Sequence, residues 1–167
     1  MKTCFFILIP LFCYSMNSLN NQTQSQFELD SFFKKIETNL ENQNFNAAKQ
    51  YCESAENLIV EKFGKKSSLY ARILHLEAKL NHLQYEFYVA EKKFEEAIQV
   101  YEGQEGINSL NRANVIEDLG QMHQKIGRLY KAEKLLNESF AIKEQILGRK
   151  NPAMCSALSS MADLMNN

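Results

Sequence analysis

A chain of 167 residues with 45% hydrophobic residues has enough material for one domain with its own core. Its 19 Lys and Arg against 20 Asp and Glu give a formal net charge of −1, so the basic excess that nucleic acid or an anionic membrane surface requires is missing, and neither is an expected partner. Only two Pro and six Gly are available to interrupt helices, and the region after residue 26 is rich in Leu, Ala, Glu, Lys and Gln, all good helix formers.

The first residues stand apart. MKTCFFILIPLFCYSMNS has a basic start at Lys2, an apolar run from Cys4 to Tyr14 and small residues at Ser15 and Ser18, which reads as a secretory signal over residues 1–18. The run is shorter than the roughly 20 residues a bilayer span needs, so no stable membrane insertion is expected after its removal. A secreted, lumenal or periplasmic location follows, with membrane tethering by an uncleaved N-terminal segment as the alternative. Residues 19–25 are polar and read as a flexible leader. Asn21 and Asn137 lie in glycosylation sequons, and the first is the more accessible by sequence. Removal of the signal leaves Cys52 and Cys155, too few for a disulfide framework and expected as small core residues.

From residue 26 onward the chain repeats itself. Gly64, Gly106 and Gly148 recur at one interval (106 − 64 = 148 − 106 = 42), and the same step connects Ala48, Ala90 and Ala132. It also connects Ile36, Ala78 and Gly120, and then Cys52, Phe94 and Leu136. Each unit holds two amphipathic helical segments, because apolar residues recur at three and four positions on both sides of a short break. In 111–127 the stripe is Val115, Ile116, Leu119 and Met122; in 128–148 it is Leu129, Ala132, Leu136, Phe140 and Ile142 or Lys143. The glycine after each last turn can close a helix in the left-handed conformation, and Ser67, Asn108 and Asn151 with Pro152 are positioned to start the next. Repeats are expected at about 26–66, 67–108 and 109–150, with a half repeat at 151–167. Small residues mark the crossing within each hairpin, Gly120 opposite Ala132 and Ala78 opposite Ala90; Ile36 breaks this rule and predicts a looser first repeat.

The small crossing residues, GRLYKAE at 127–133 and AIKEQILGRKNP at 141–152 resemble tetratricopeptide repeats, specifically the long kinesin light chain-like form. Tyr85 and Gln43 depart from the pattern at the turn position held by Gly127. The resemblance implies an all-α, right-handed superhelical solenoid of about three and a half repeats over 26–167. It also implies a concave groove lined by the first helix of each repeat. Carried over, the groove positions are Asp30, Phe33 and Glu37; then Arg72, His75, Lys79 and His82; then Asn114, Glu117, Asp118, Gln121 and Gln124; and last Ser156, Ser159, Ser160 and Asp163.

Among these, Arg72, His75, Lys79 and His82 are spaced three or four apart and form one basic ridge. It reads either as a solvated helix face or as a contact for an acidic partner segment. His75 and His82 are two turns apart, about 10.5 Å along the axis, too far to share a metal ion. No Gly-rich phosphate loop, paired Cys motif or HExxH occurs, so neither a cofactor nor a catalytic role is expected. The expected function is a non-catalytic scaffold or adaptor that binds a protein or peptide segment. The alternative is a docking or small-peptide-sensing accessory of a larger secreted or lumenal enzyme or transport assembly. Residues 151–167 supply a first helix only, so Met154, Leu158, Met161 and Met165 are expected to leave an apolar strip partly open to weak self-association.

Overall fold

The computed structural model describes the backbone of residues 8–165 and the side chains of residues 23–164. Seven α-helices and no strand occur among the described residues: α1 (Leu8–Glu41), α2 (Phe45–Lys62), α3 (Ser68–Leu83), α4 (Phe87–Glu105), α5 (Leu110–Lys125), α6 (Leu129–Leu147) and α7 (Cys155–Met165), the last entered through a 3₁₀ turn at Pro152–Met154. The first seven residues of the expected signal segment lie outside the described residues. Residues 19–25 run within α1 instead of forming a flexible leader; extending a helix already packed at 26–41 adds one backbone hydrogen bond per residue without a new nucleation cost. No helix among the described residues is long and apolar enough to cross a membrane.

Helices α1 and α2, α3 and α4, and α5 and α6 pair as hairpins, and each hairpin stacks on the next through α2 with α3, α4 with α5, and α6 with α7. The backbones of the odd-numbered helices also approach in series, α1 to α3, α3 to α5 and α5 to α7, whereas those of α2, α4 and α6 stay farther apart. An all-α solenoid results, with the odd helices forming its closer-packed layer.

The 42-residue period is visible in the backbone itself. Ser67 and Ser109 each cap a helix, accepting a hydrogen bond from the backbone N–H of Tyr70 and Arg112; Ser109 takes the place expected for Asn108, because it is the true equivalent of Ser67. The three hairpin turns close identically. The N–H groups of Asn44, Glu86 and Arg128 donate to the carbonyls of Asn39, Asn81 and His123 at 2.8, 2.8 and 2.9 Å. This closure requires a left-handed residue just before each donor, and Gln43 (φ 56°), Tyr85 (φ 64°) and Gly127 (φ 76°) occupy that place. The hydrogen-bond pattern therefore overrides the preference of Gln and Tyr for negative φ. Gln43 is exposed, so Gln43→Gly is expected to relieve the strain and stabilise the fold by about 0.5–1 kcal/mol, measurable as a higher midpoint in urea denaturation at unchanged slope.

At the hairpin crossings, large and small residues alternate between the two helices. A Cβ added to Gly120 would lie 2.9 Å from Cγ and Cδ2 of Leu136 and 3.3 Å from Cβ of Leu135. The partner of Gly120 is thus Leu136, one turn beyond the expected Ala132, because helical side chains lean toward their own N-terminus and cover the preceding turn. The equivalent pairs are Ala78 with Phe94 and Ile36 with Cys52. All four of these residues are buried, none more than 1% exposed. The α1–α2 hairpin is the least closely packed of the three, as Ile36 predicts, although Ile36 and Cys52 are both buried. Burial, and secondarily the nearby Glu77, pushes the Cys52 thiol up to about 12. Cys155, expected in the core, is exposed at the start of α7. Met154 is buried, so the expected apolar strip shrinks to exposed Leu158 and half-buried Met161, and the side chain of Met165 lies outside the described residues.

Gly120→Leu should overpack the α5–α6 crossing and cost on the order of 1–3 kcal/mol. Thermal denaturation followed by circular dichroism checks this, and an unchanged midpoint would contradict the assigned crossing.

Candidate functional site

The face made by α1, α3, α5 and α7 carries the sequence-expected groove positions, and it is bound together by polar contacts between successive helices. On α3, Arg72 lays its guanidinium 4.0 Å from the centroid of Phe33 and directs Nη2 to Glu37 of α1 at 3.4 Å. One turn on, His75 Nε2 meets Asp118 Oδ2 of α5 at 2.6 Å, and Lys79 Nζ reaches the same oxygen at 3.3 Å. His82 turns aside onto Phe87 of α4, ring centroids 6.0 Å apart, with its Nε2 buried and without a hydrogen-bond partner. The ridge is therefore a seam between α1, α3 and α5 and not an open row of cations. Phe33, expected on the groove surface, is buried beneath Arg72.

The next step along the solenoid repeats this logic with different chemistry. Glu117 of α5 is only 4% exposed. One of its oxygens takes the ammonium of Lys143 from α6 in a very short contact, and the other accepts from Ser160 Oγ of α7 at 3.2 Å and Gln121 Nε2 at 3.4 Å. Gln121 also donates to Ser160 Oγ at 2.7 Å. Glu117 is thus an internal anchor and is withdrawn from the groove surface. A carboxylate at that depth requires a paired cation and further hydrogen bonds, and the site supplies both. The contacts His75 to Asp118 and Ser160 to Glu117 both join residues 43 apart, so they are the same place in two successive repeats.

Two openings remain on this face. Between α1 and α3 a cleft of about 350 Å³ is walled by Glu37 and Glu41 on one side and by Arg72, His75, Leu76 and Lys79 on the other. Between α5 and α7 a cleft of about 620 Å³ is lined by Gln121, Gln124, Lys125, Ser156, Ser159, Ser160 and Asp163. Asn114 is exposed near the start of α5. The first opening is amphoteric and half-closed by its own ion pair, and the second is lined mainly by amides and hydroxyls that can both donate and accept.

The titration of this face follows from its packing. Burial would raise the Asp118 carboxyl, but the hydrogen bond and charge of His75, with Lys79, outweigh it and hold the group below its ordinary range. His82 is lowered by burial and then by Lys125, with Lys79 adding to the effect and Asp118 opposing it. His123, behind the face, is lowered first by burial; Glu91, 3.4 Å from its Nε2, opposes this, while Lys131 and Arg128 reinforce it. For both histidines the unfolded chain takes up protons that the fold refuses, so their contribution is complete above 6.5 and declines as pH falls below it. Asp118 has the opposite protonation but the same outcome lower down: its contribution holds above the ordinary carboxyl value of 3.8 and disappears as pH falls through the depressed one. The melting temperature is expected to decline in two stages on acidification. In His82→Gln the first decline, which begins as pH falls below 6.5, should shrink.

Of the ridge Arg72, His75, Lys79 and His82, the first three contact α1 or α5 and His82 packs on Phe87, while Gln121 and Gln124 line the cleft between α5 and α7. Sequence spacing missed Asp118 as the acceptor that joins two repeats and Lys143 as the counter-charge of Glu117. The only available signal was a basic residue in one unit 43 positions before an acidic residue in the next. Among known protein families, residues 70–145 match the model described as tetratricopeptide repeat. No curated protein matches the chain.

Proposed function

We propose that this chain, whose residues 70–145 match the tetratricopeptide repeat, a repeat that generally mediates protein–protein interaction, is a non-catalytic scaffold whose odd-helix face is a groove for an extended segment of a partner protein. The observation that carries this reading is the polar cleft between α5 and α7, where Gln121, Gln124, Ser156 and Ser159 offer donors and acceptors suited to a peptide main chain. The closer packing of the odd helices supports a concave shape on this side.

An acidic side chain at the other end of the segment suits Arg72. The existing partner Glu37 is exposed, with side-chain accessibilities of 42% for Arg72 and 50% for Glu37, and such a surface pair is weak enough to exchange for a carboxylate of the ligand. Lys79, 44% accessible, stands beside it. Export is part of the same proposal: Lys2 followed by the apolar run to Tyr14 supports delivery of the repeats to a secreted or lumenal compartment.

The test is a peptide-display selection against the chain from residue 19 onward, followed by titration calorimetry on the best extended peptide. Gln124→Ala with Ser159→Ala, and separately Arg72→Glu, should each weaken binding about tenfold while leaving helicity unchanged. Unaltered affinity in both variants would remove the odd-helix face as the binding site.

A further inference from the structure

A second surface lies at the edge of the solenoid where each odd helix turns into its even partner. Tyr85, Tyr88 and Tyr130 are 71%, 69% and 82% exposed there, next to Leu129 at 41%. Tyr88 and Tyr130 are one repeat apart (130 − 88 = 42), as are Lys92 and Lys134. Lys92 Nζ stands 4.4 Å from the Tyr88 ring centroid, and the second copy carries the same pair of residue types. The two copies form one continuous edge: Lys125, at the end of α5, lies 5.7 Å from the ring of Tyr85, and Arg128, just before α6, and Lys131 of α6 reach Glu91 of α4 at 3.0 and 3.5 Å.

Tyr85 makes the strongest case. The turn forces it to φ 64°, where Gly127 sits without strain in the next repeat. A bulky side chain in that conformation, with most of its surface in water, gains little from the fold in return. Its ring meets Phe87 edge-on at 6.0 Å, which holds it upright at the rim. Gln43 holds the same backbone place in the first repeat, so what sets Tyr85 apart is an aromatic ring left exposed at that turn. Tyrosines that are fixed in place and half apolar are the residue type that interfaces favour.

Charge identifies the occupant. Lys92, Lys125, Arg128, Lys131 and Lys134 are all exposed around the tyrosines. The opposing carboxylates are Glu86, Glu91 and Glu133, and Glu91 is already enclosed by His123, Arg128 and Lys131. In a chain of net charge −1 this edge is a local cationic excess with hydroxyl donors and apolar rings between the charges. We propose that the turn edge of the second and third repeats is a separate docking surface for an acidic protein segment bearing aromatic or aliphatic side chains, with Tyr88 and Tyr130 as equivalent anchors. Its carboxylates would meet the lysines and the tyrosine hydroxyls while its apolar side chains cover the rings and Leu129. The surface is distinct from the groove, so a partner could hold both at once.

The experiment uses the chain from residue 19 onward and two labelled peptides of equal length, one alternating Glu and Phe and one alternating Lys and Phe, read by fluorescence anisotropy. The acidic peptide should bind saturably and more weakly at high salt, and the basic peptide should not bind. Tyr88→Ala with Tyr130→Ala should weaken the acidic peptide about tenfold with an unchanged circular dichroism spectrum. Tyr85→Gly should also weaken it while keeping the melting temperature equal or higher. Gln124→Ala with Ser159→Ala, which alters the groove, should have no effect, so failure of one surface is distinguishable from failure of the other. Equal binding of both peptides would overturn the proposal, as would full affinity in the tyrosine variants. Preference for phosphatidylserine vesicles over the acidic peptide would assign the edge to a lipid surface and overturn it too.

Discussion

The distance between the two helices of each hairpin governs the rest of the molecule, and it is set by a sum of volumes rather than by either side chain alone. Gly120 with Leu136, Ala78 with Phe94 and Ile36 with Cys52 distribute bulk differently between the two helices, yet every member with a side chain is buried, none more than 2% exposed. A close-packed interior requires each crossing to be filled without voids. Because each crossing is filled from both of its helices, the hairpins stack in series, and the 42-residue period of the sequence becomes a period in space. Everything on the odd-helix face inherits its registration from that stacking.

Polar chemistry then couples the stacked units. Asp118 joins α3 to α5, and Glu117 joins α5 to both α6 and α7, so two adjacent acidic residues on one helix hold neighbours on opposite sides. In a solenoid the stability of each repeat depends largely on its nearest neighbours, and α5 is where two such interfaces meet. Residues that on a lone helix would be solvated charges are here structural, which is why the cationic ridge of α3 offers little unpaired charge to a ligand. Any segment that binds along this face trades contacts with the protein instead of simply adding them.

How much of this is legible in the sequence depends on the range of the interaction. Helix positions, caps and turns follow from neighbours a few residues away: Ser67 and the glycines at 106 and 148 were readable as punctuation. The repeat period was readable too, and with it the family. What could not be read was which side chain meets which across repeats. That needs the offset between stacked helices, and a shift of one position separates the equivalence step from the contact step of 43. The same ignorance placed Phe33, Glu117 and Met154 on the surface and Cys155 in the core. Gln43 and Tyr85 mark another boundary, since a turn fixed by its backbone hydrogen bonds can hold residues that local preference would reject.

One asymmetry of the fold has a mechanical meaning. The backbones of the odd helices approach one another from repeat to repeat more closely than those of the even helices do, and the even helices α4 and α6 are linked by the reach of Lys131 to Glu91. Opening the outer gap between α4 and α6 stretches only the pairs of Glu91 with the exposed Arg128 and Lys131, whereas sliding of the odd helices past one another would break the more deeply placed contacts of Asp118 and Glu117. Flexing that changes curvature spares those inner contacts, and with them the registration of the odd-helix face.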